Sequence, residues 1–516
     1  MSRFRRAIHG VASSYMLLVA TAIYSLASVP VALHYLDKER FGLWALMGSL
    51  VNYLGLIDAG MSSSAGRLII DYKDDRDGGQ YGSLIKTGGL VFLVQGVIIF
   101  LAGLIFANSF AHLLAIPAGL QPEFIRLVNL QCGVLALSFA TRIFNLMLVA
   151  HQRMDLVNYT GTLGLVVNFV TQWVFFHFGF GVLSLAWAGL FAAGTIVVCQ
   201  WLACETSRLF PARNSWGRVS WLHFKELFAF AKDVFLVVVG TQLIMASQGI
   251  IITRLLGLPA AATWSIGTRV FNLLSQIIWR VSDMSAAAFA ELIVRRETGR
   301  VRERYRAMVI LTASLSGLAA VSLALCNSLF IPLWTHGKIQ WPVMNDVLLG
   351  IWMIVLAILH CHTALVLLTK KVGFMRYVFF VEGVTFVTLS LLVARWGGLP
   401  AIITCSIVCS TCFSSAYAVW RITRYFNFPL REVIWDWFRP MGRMLLFYLP
   451  LAALAWWALM PLPSPMRLGF NAILAGSLGV YLFLRFGVPR SIQTEIIQHA
   501  PIRAQSLLKR IWREVA

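Results

Sequence analysis

Apolar windows of about 18–25 residues recur along the whole chain, each long enough to cross a hydrocarbon layer of about 30 Å as an α-helix. They lie at 11–36, 41–65, 84–110, 124–149, 156–178, 182–204 and 228–253, and then at 261–290, 307–332, 343–369, 377–396, 399–420, 444–461 and 468–486. The pattern therefore predicts an all-α, polytopic membrane protein of fourteen helices.

One window departs from the others. Between Ala261 and Glu291 the run is apolar enough to span, yet Ser265, Arg269, Asn272, Gln276, Arg280 and Asp283 follow one another at steps of three and four. At about 100° per residue they occupy an arc of roughly 80° on one helix face. A charge left in hydrocarbon costs at least about 2.5 kcal/mol, so that face must meet protein or a water-filled cavity. A local pair between Arg280 and Asp283 would account for two of these residues. It leaves Arg269, Asn272 and Gln276 to a solute pathway. A second stripe, Gln131, Ser138, Arg142 and Asn145, lies within roughly 60° on the fourth window.

Basic residues fix the expected orientation, because short cytoplasmic loops hold the excess of Lys and Arg. Of the 43, 32 fall between alternate spans on the side of both termini, 6 on the opposite side and 5 within spans. Both termini are thus expected in the cytoplasm. A weak internal repeat pairs WALMGSLVNYL at Trp44–Leu54 with WSIGTRVFNLL at Trp264–Leu274, an offset of 220 residues between copies of like orientation. It divides the chain into a six-helix lobe at 1–204, a cytoplasmic linker at 205–227 and a second six-helix lobe at 228–420. Helices thirteen and fourteen occupy 421–486, and a basic amphipathic tail suited to the inner leaflet runs over 487–516.

Composition changes little in this picture. The chain is 59% hydrophobic and 13% charged, and its net charge of +21 lies between spans, which gives it to membrane orientation rather than to nucleic acid. All eight cysteines sit in apolar stretches and indicate no disulfide framework; Cys405, Cys409 and Cys412 share a helix face, but the serines among them favour a small-residue packing surface over a metal site, and no cofactor is expected.

The segment YLDKERFGLWALMGSLVNYLGLIDAGMSSSAGRLI, Tyr35–Ile69, resembles the N-terminal signature of the polysaccharide-transport flippases of the multidrug/oligosaccharidyl-lipid/polysaccharide exporter superfamily. The matching parts are Phe41-Gly42-Leu43-Trp44, then Leu56-Ile57-Asp58-Ala59-Gly60-Met61, then a small-residue run ending in Gly66-Arg67. The resemblance implies two six-helix bundles around a central cavity of alternating access, in the inner membrane. It also implies an undecaprenyl-diphosphate-linked glycan as substrate, bound for O-antigen or exopolysaccharide synthesis. The partners it implies are membrane lipids and the polymerase and export proteins of the same process. Many such flippases have twelve helices, whereas fourteen is the number in the superfamily's lipid II flippase.

A diphosphate and a glycan need a hydrated, cationic lumen. Arg269, Asn272, Gln276, Arg280, Asp283, Arg142 and Asn145 are the candidates to line it, and no residue is assigned to catalysis. Asp58 and Glu382 are the carboxylates put forward for ion coupling, although Asp58 equally suits a helix cap; Asp346, His360 and His362 complete the buried titratable set. On the fifth window, Asn158, Asn168 and Gln172 suit either glycan contacts or bonds between helices. Two rival functions stand beside the flippase. A drug or cation exporter would need an acidic lumen, which three arginines oppose. A glycan polymerase or ligase would need a substantial external loop, which the short external connections do not supply.

Overall fold

A computed structural model describes residues 3–75, 79–369, 373–499, 505, 508–509 and 511–512. Among them the protein is all-α and contains no strand. It divides into two compact units, Met1–Ala262 and Thr263–Ala516.

The first unit contains α1 (Arg3–Tyr35), α2 (Lys38–Leu54), α3 (Met61–Tyr72), α4 (Gln80–Leu113), α5 (Gln121–Ala140), α6 (Arg142–Ala150), α7 (Met154–His177), α8 (Leu183–Thr206), α9 (Trp221–Met245), α10 (Ser247–Leu256) and the opening of α11 (Leu258–Gly267). In it α4 packs on α5, α7 on α8 and α1, and α3 on α6. Its core gathers Ile69, Tyr81, Phe92, Met147, Leu148 and Cys204. On the other side of α4, Leu93, Val97, Leu101, Leu104 and Ile105 stay exposed, as a lipid-facing surface should. Helix α2 lies so close to the start of α11 that a Cβ on Gly42 would stand 2.2 Å from the Leu258 carbonyl oxygen, so no larger residue fits there.

The second unit holds α12 (Arg269–Val294), α13 (Thr298–Trp334), α14 (Val343–Leu368), α15 (Met375–Ser410), α16 (Ala416–Phe426), α17 (Arg439–Ala458), α18 (Ser464–Leu474), α19 (Val480–Leu482) and α20 (Arg490–His499). Helix α13 is its axis, with α12, α14, α17 and α18 packed around it. At 37 residues it is about 55 Å long, well beyond the hydrocarbon thickness.

The unit boundary after Ala262 differs from the division drawn on the repeat. Residues 221–256 pack within the first unit, α9 on α3 and α4 and α10 on α2. The segment expected as a linker is tied to α4: Ser83 Oγ donates to the Arg218 carbonyl, Lys86 Nζ donates to that of Gly217 at 3.1 Å, and the Ser220 amide donates to Thr87 Oγ1 at 3.0 Å.

Eleven helices among the described residues are long and apolar enough to cross a membrane. One of them, Met375–Phe426, is turned at Gly398 (φ 58°) and covers two of the expected windows. The fifth and eighth windows are helical, as α7 and as α11 with α12, but fall outside the eleven because of their amides and charges. The tail opens with helix α20; most residues beyond His499, and the side chains of Lys232 and Asp233, lie outside those described.

Candidate functional site

Several spans are broken within their length, and the polar residues gather at the breaks. In the first unit α2 ends in a 3₁₀ turn, Gly55–Asp58, after which Ala59 (φ 48°) and Gly60 (φ 85°) both take left-handed backbone before α3 begins. The paired αL residues re-aim the chain and leave the first amides of α3 needing an acceptor. Asp58 is that acceptor: its carboxylate receives the Ser62 amide at 3.2 Å and the Ser62 hydroxyl at 2.5 Å. The break between α5 and α6 at Thr141 delivers Arg142 to the same point. Its Nη1 donates to Asp58 Oδ1 at 3.0 Å and to Ser62 Oγ at 2.9 Å, while the guanidinium lies 3.8 Å from the centre of the Phe139 ring. Asn145 follows half-buried, one turn further along α6. The expected cation of the first lobe is therefore engaged with the first candidate coupling carboxylate. The helix break at Thr141 also separates Arg142 and Asn145 from Gln131 and Ser138, so the stripe drawn through the fourth window is not continuous.

In the second unit a break at Thr268 starts α12 with Arg269, and the Thr268 hydroxyl returns to the Trp264 carbonyl at 2.8 Å. Along α12, Asn272, Gln276 and Asp283 are exposed and Arg269 and Arg280 half-buried, while Phe271, Ser275, Ile278 and Ser282 are buried. Phe271 stacks on Trp352 of α14 with ring centres 5.3 Å apart, which fixes the apolar face inward. The polar residues thus lie on the exposed side of α12, beside Ile277 and Met284, and in a helix of spanning length that side must meet protein or a water-filled cavity.

Asp283 takes a partner that helix spacing did not single out. His360 Nε2 of α14 stands 2.9 Å from its Oδ1, and the imidazole stacks on Trp279 with centres 4.9 Å apart. His362 turns away to the interior, its Nδ1 hydrogen-bonded to the Tyr305 hydroxyl at 2.6 Å. The other carboxylates are enclosed. Glu382 is buried on α15 and accepts the Ser414 amide at 3.1 Å from a π turn at Thr411–Ser415, and Asp346 accepts Asn327 Nδ2 and Trp341 Nε1, each at 2.7 Å. On α7, Asn158 donates to Ser13 Oγ at 3.0 Å and Asn168 accepts the Tyr24 hydroxyl at 2.9 Å, which gives both amides a role in joining α7 to α1.

Each unit consequently carries an acid–base pair linking separate helices, Asp58 with Arg142 in one and Asp283 with His360 in the other. Among the described residues, α12 adds exposed amides and two half-buried guanidiniums on one face, a set able to bind phosphate oxygens and hydroxyls.

A family model described as polysaccharide biosynthesis protein matches residues 33–341. No curated protein matches the chain. Among solved structures, an inward-facing multidrug-resistance MATE-family transporter of the MOP superfamily is 14% identical with a TM-score of 0.67, over 78% of this chain and 95% of that one. The lipid II flippase MurJ in an inward closed conformation is 10% identical with a TM-score of 0.66, over 93% and 99%. A MOP-superfamily transporter from Pyrococcus furiosus, whose binding pocket is described as of reverse polarity, is 14% identical with a TM-score of 0.53, over 82% and 95%. At these identities the likeness is one of fold.

Proposed function

Because the chain belongs to the polysaccharide biosynthesis protein family, we propose that it is a flippase for a lipid-linked oligosaccharide in polysaccharide synthesis. In this reading it moves an undecaprenyl-diphosphate-linked glycan from the cytoplasmic to the periplasmic leaflet of the inner membrane, with both termini in the cytoplasm. Transport in this reading is by alternating access, with fourteen membrane-spanning helices in total. The observation that carries the reading is the open polar face of α12, with Arg269 and Arg280 to hold a diphosphate and Asn272 and Gln276 to meet sugar hydroxyls. The fold shared with a lipid II flippase supports the same class of cargo. The fold shared with a multidrug transporter keeps drug or cation export as the second reading, against which the arginines of α12 weigh.

The test compares the two cargoes in one preparation. Full-length protein reconstituted in vesicles should translocate a labelled undecaprenyl-diphosphate oligosaccharide, and Arg269→Ala at normal abundance should lower that rate roughly tenfold, the value of one charge-assisted contact of about 1.4 kcal/mol. Efflux of an organic cation that survives Arg269→Ala, with no glycan-lipid movement by the unaltered protein, would overturn it.

A further inference from the structure

A second basic site lies in the second unit, with none of its described lining residues on α12. An open cavity of about 620 Å³ is bordered by the first turns of α13, the start of α17, the end of the segment that follows α19 and the first turns of α20. Four arginines from these four elements line it: Arg306, Arg443, Arg485 and Arg490. Glu303 is the one acidic residue among the described lining. Glu432, just ahead of α17, is held by Arg302 and receives the Trp437 indole N–H at 3.2 Å, and Arg306 stands 3.9 Å from it. The described lining thus sets four guanidiniums against one carboxylate. It is closed from the tail side by Trp512, whose Nε1 donates to the Leu484 carbonyl at 2.7 Å.

What adjoins this cavity is apolar. One turn beyond Arg443, Leu446, Phe447, Leu449 and Leu454 of α17 are all exposed, and on the helix that ends near Arg485 so are Val480 and Tyr481. A ligand seated here meets guanidiniums at one end and a hydrocarbon-compatible surface at the other. We propose that this cavity binds the phosphate of an anionic phospholipid, with Arg443 and Arg490 as principal contacts and the acyl chains along the exposed face of α17. Basic pockets between membrane helices near the interface have this chemistry, and the volume lies in the range of small-ligand sites. The inference stands apart from the transport reading, since none of its residues lies on α12.

The experiment is native mass spectrometry of the full-length, detergent-solubilised protein titrated with phosphatidylglycerol or phosphatidylcholine. Phosphatidylglycerol should bind at lower concentration, and R443A/R490A should weaken it about thirtyfold, taking roughly 1 kcal/mol for each basic residue. Phosphatidylcholine, whose phosphate is offset by its choline cation, should lose much less on substitution. If the double variant is lost from the membrane, R443A and R490A singly should each weaken binding about fivefold. Millimolar inorganic phosphate should not displace the lipid. Equal binding of the two lipids, unchanged binding by the variants, or displacement by inorganic phosphate, which would mark a free-anion site, would each overturn the proposal.

Discussion

Replacing Asp58 or Arg142 tests whether the family-signature acid holds the first unit together. The pair joins the break after α2 to the break before α6 at 3.0 Å, with the two side chains 28% and 20% exposed. Loss of one partner of a fully buried pair costs about 3–5 kcal/mol, and partial access to solvent reduces this to roughly 1–3 kcal/mol here. The two single changes should differ. Arg142→Gln leaves a carboxylate that still accepts the Ser62 amide and hydroxyl, so roughly 1 kcal/mol is expected. Asp58→Ala removes both the cap of α3 and the partner of a guanidinium left with the Ser62 hydroxyl and the Phe139 ring, so about 2–3 kcal/mol is expected. A double-mutant cycle by denaturant titration in detergent micelles, read by intrinsic fluorescence, should give a coupling of about 1–2 kcal/mol. Coupling within about 0.3 kcal/mol of zero, or Arg142→Gln costing more than Asp58→Ala, would refute the account of a cap reinforced by a cation.

Single cysteines at Asn272 and Gln276, in a cysteine-free background, should react with a water-soluble maleimide much faster than cysteines at Leu274 and Ile278; equal protection of all four would mean the polar face of α12 is sealed. Arg269→Lys retains the charge without the planar fork and should recover only part of the glycan translocation lost in Arg269→Ala, measured alongside protein abundance. His360→Phe keeps the stack on Trp279 but leaves Asp283 without its imidazole, so it should alter transport with little loss of protein, and a fall in abundance matching the fall in transport would assign the pair to structure. Reporter fusions after Arg67, Arg213 and Arg302 should give cytoplasmic signals and fusions at Gly119 and Lys338 external ones, with any reversal contradicting the orientation.

The helical architecture was legible because spanning length and apolarity are properties of contiguous residues, and so was the open face of α12, a matter of period alone. Partners across helices were not. The sequence shows Asp283 three residues from Arg280, but only packing brings it to His360 of α14, 77 positions away. Likewise Arg142 reads as a cation available to substrate until the left-handed turn at Ala59 and Gly60 brings Asp58 to it, 84 positions earlier in the chain. Glu382 reads as a buried proton carrier, and its acceptance of the Ser414 amide depends on a π turn that no residue pattern in the eleventh and twelfth windows announces. The compact units differ from the repeat-based division for a related reason: a repeat is a pattern along the chain, whereas close packing such as that of Gly42 on Leu258 decides which helices cohere.

The length of α13 has a consequence for observing this protein at work. A rod of about 55 Å, tilted by about 10° about its middle, carries each end through about 5 Å. Its first turns bear Arg300, Arg302, Arg304 and Arg306, and Arg302 is clamped to Glu432 just ahead of α17, so that end moves as a body rather than as a loose tip. It is the hand of a dial whose pivot lies in the packed interior of the unit. A spectroscopic label at exposed Arg304 would convert angular changes too small to resolve within the membrane into distances that can be measured outside it.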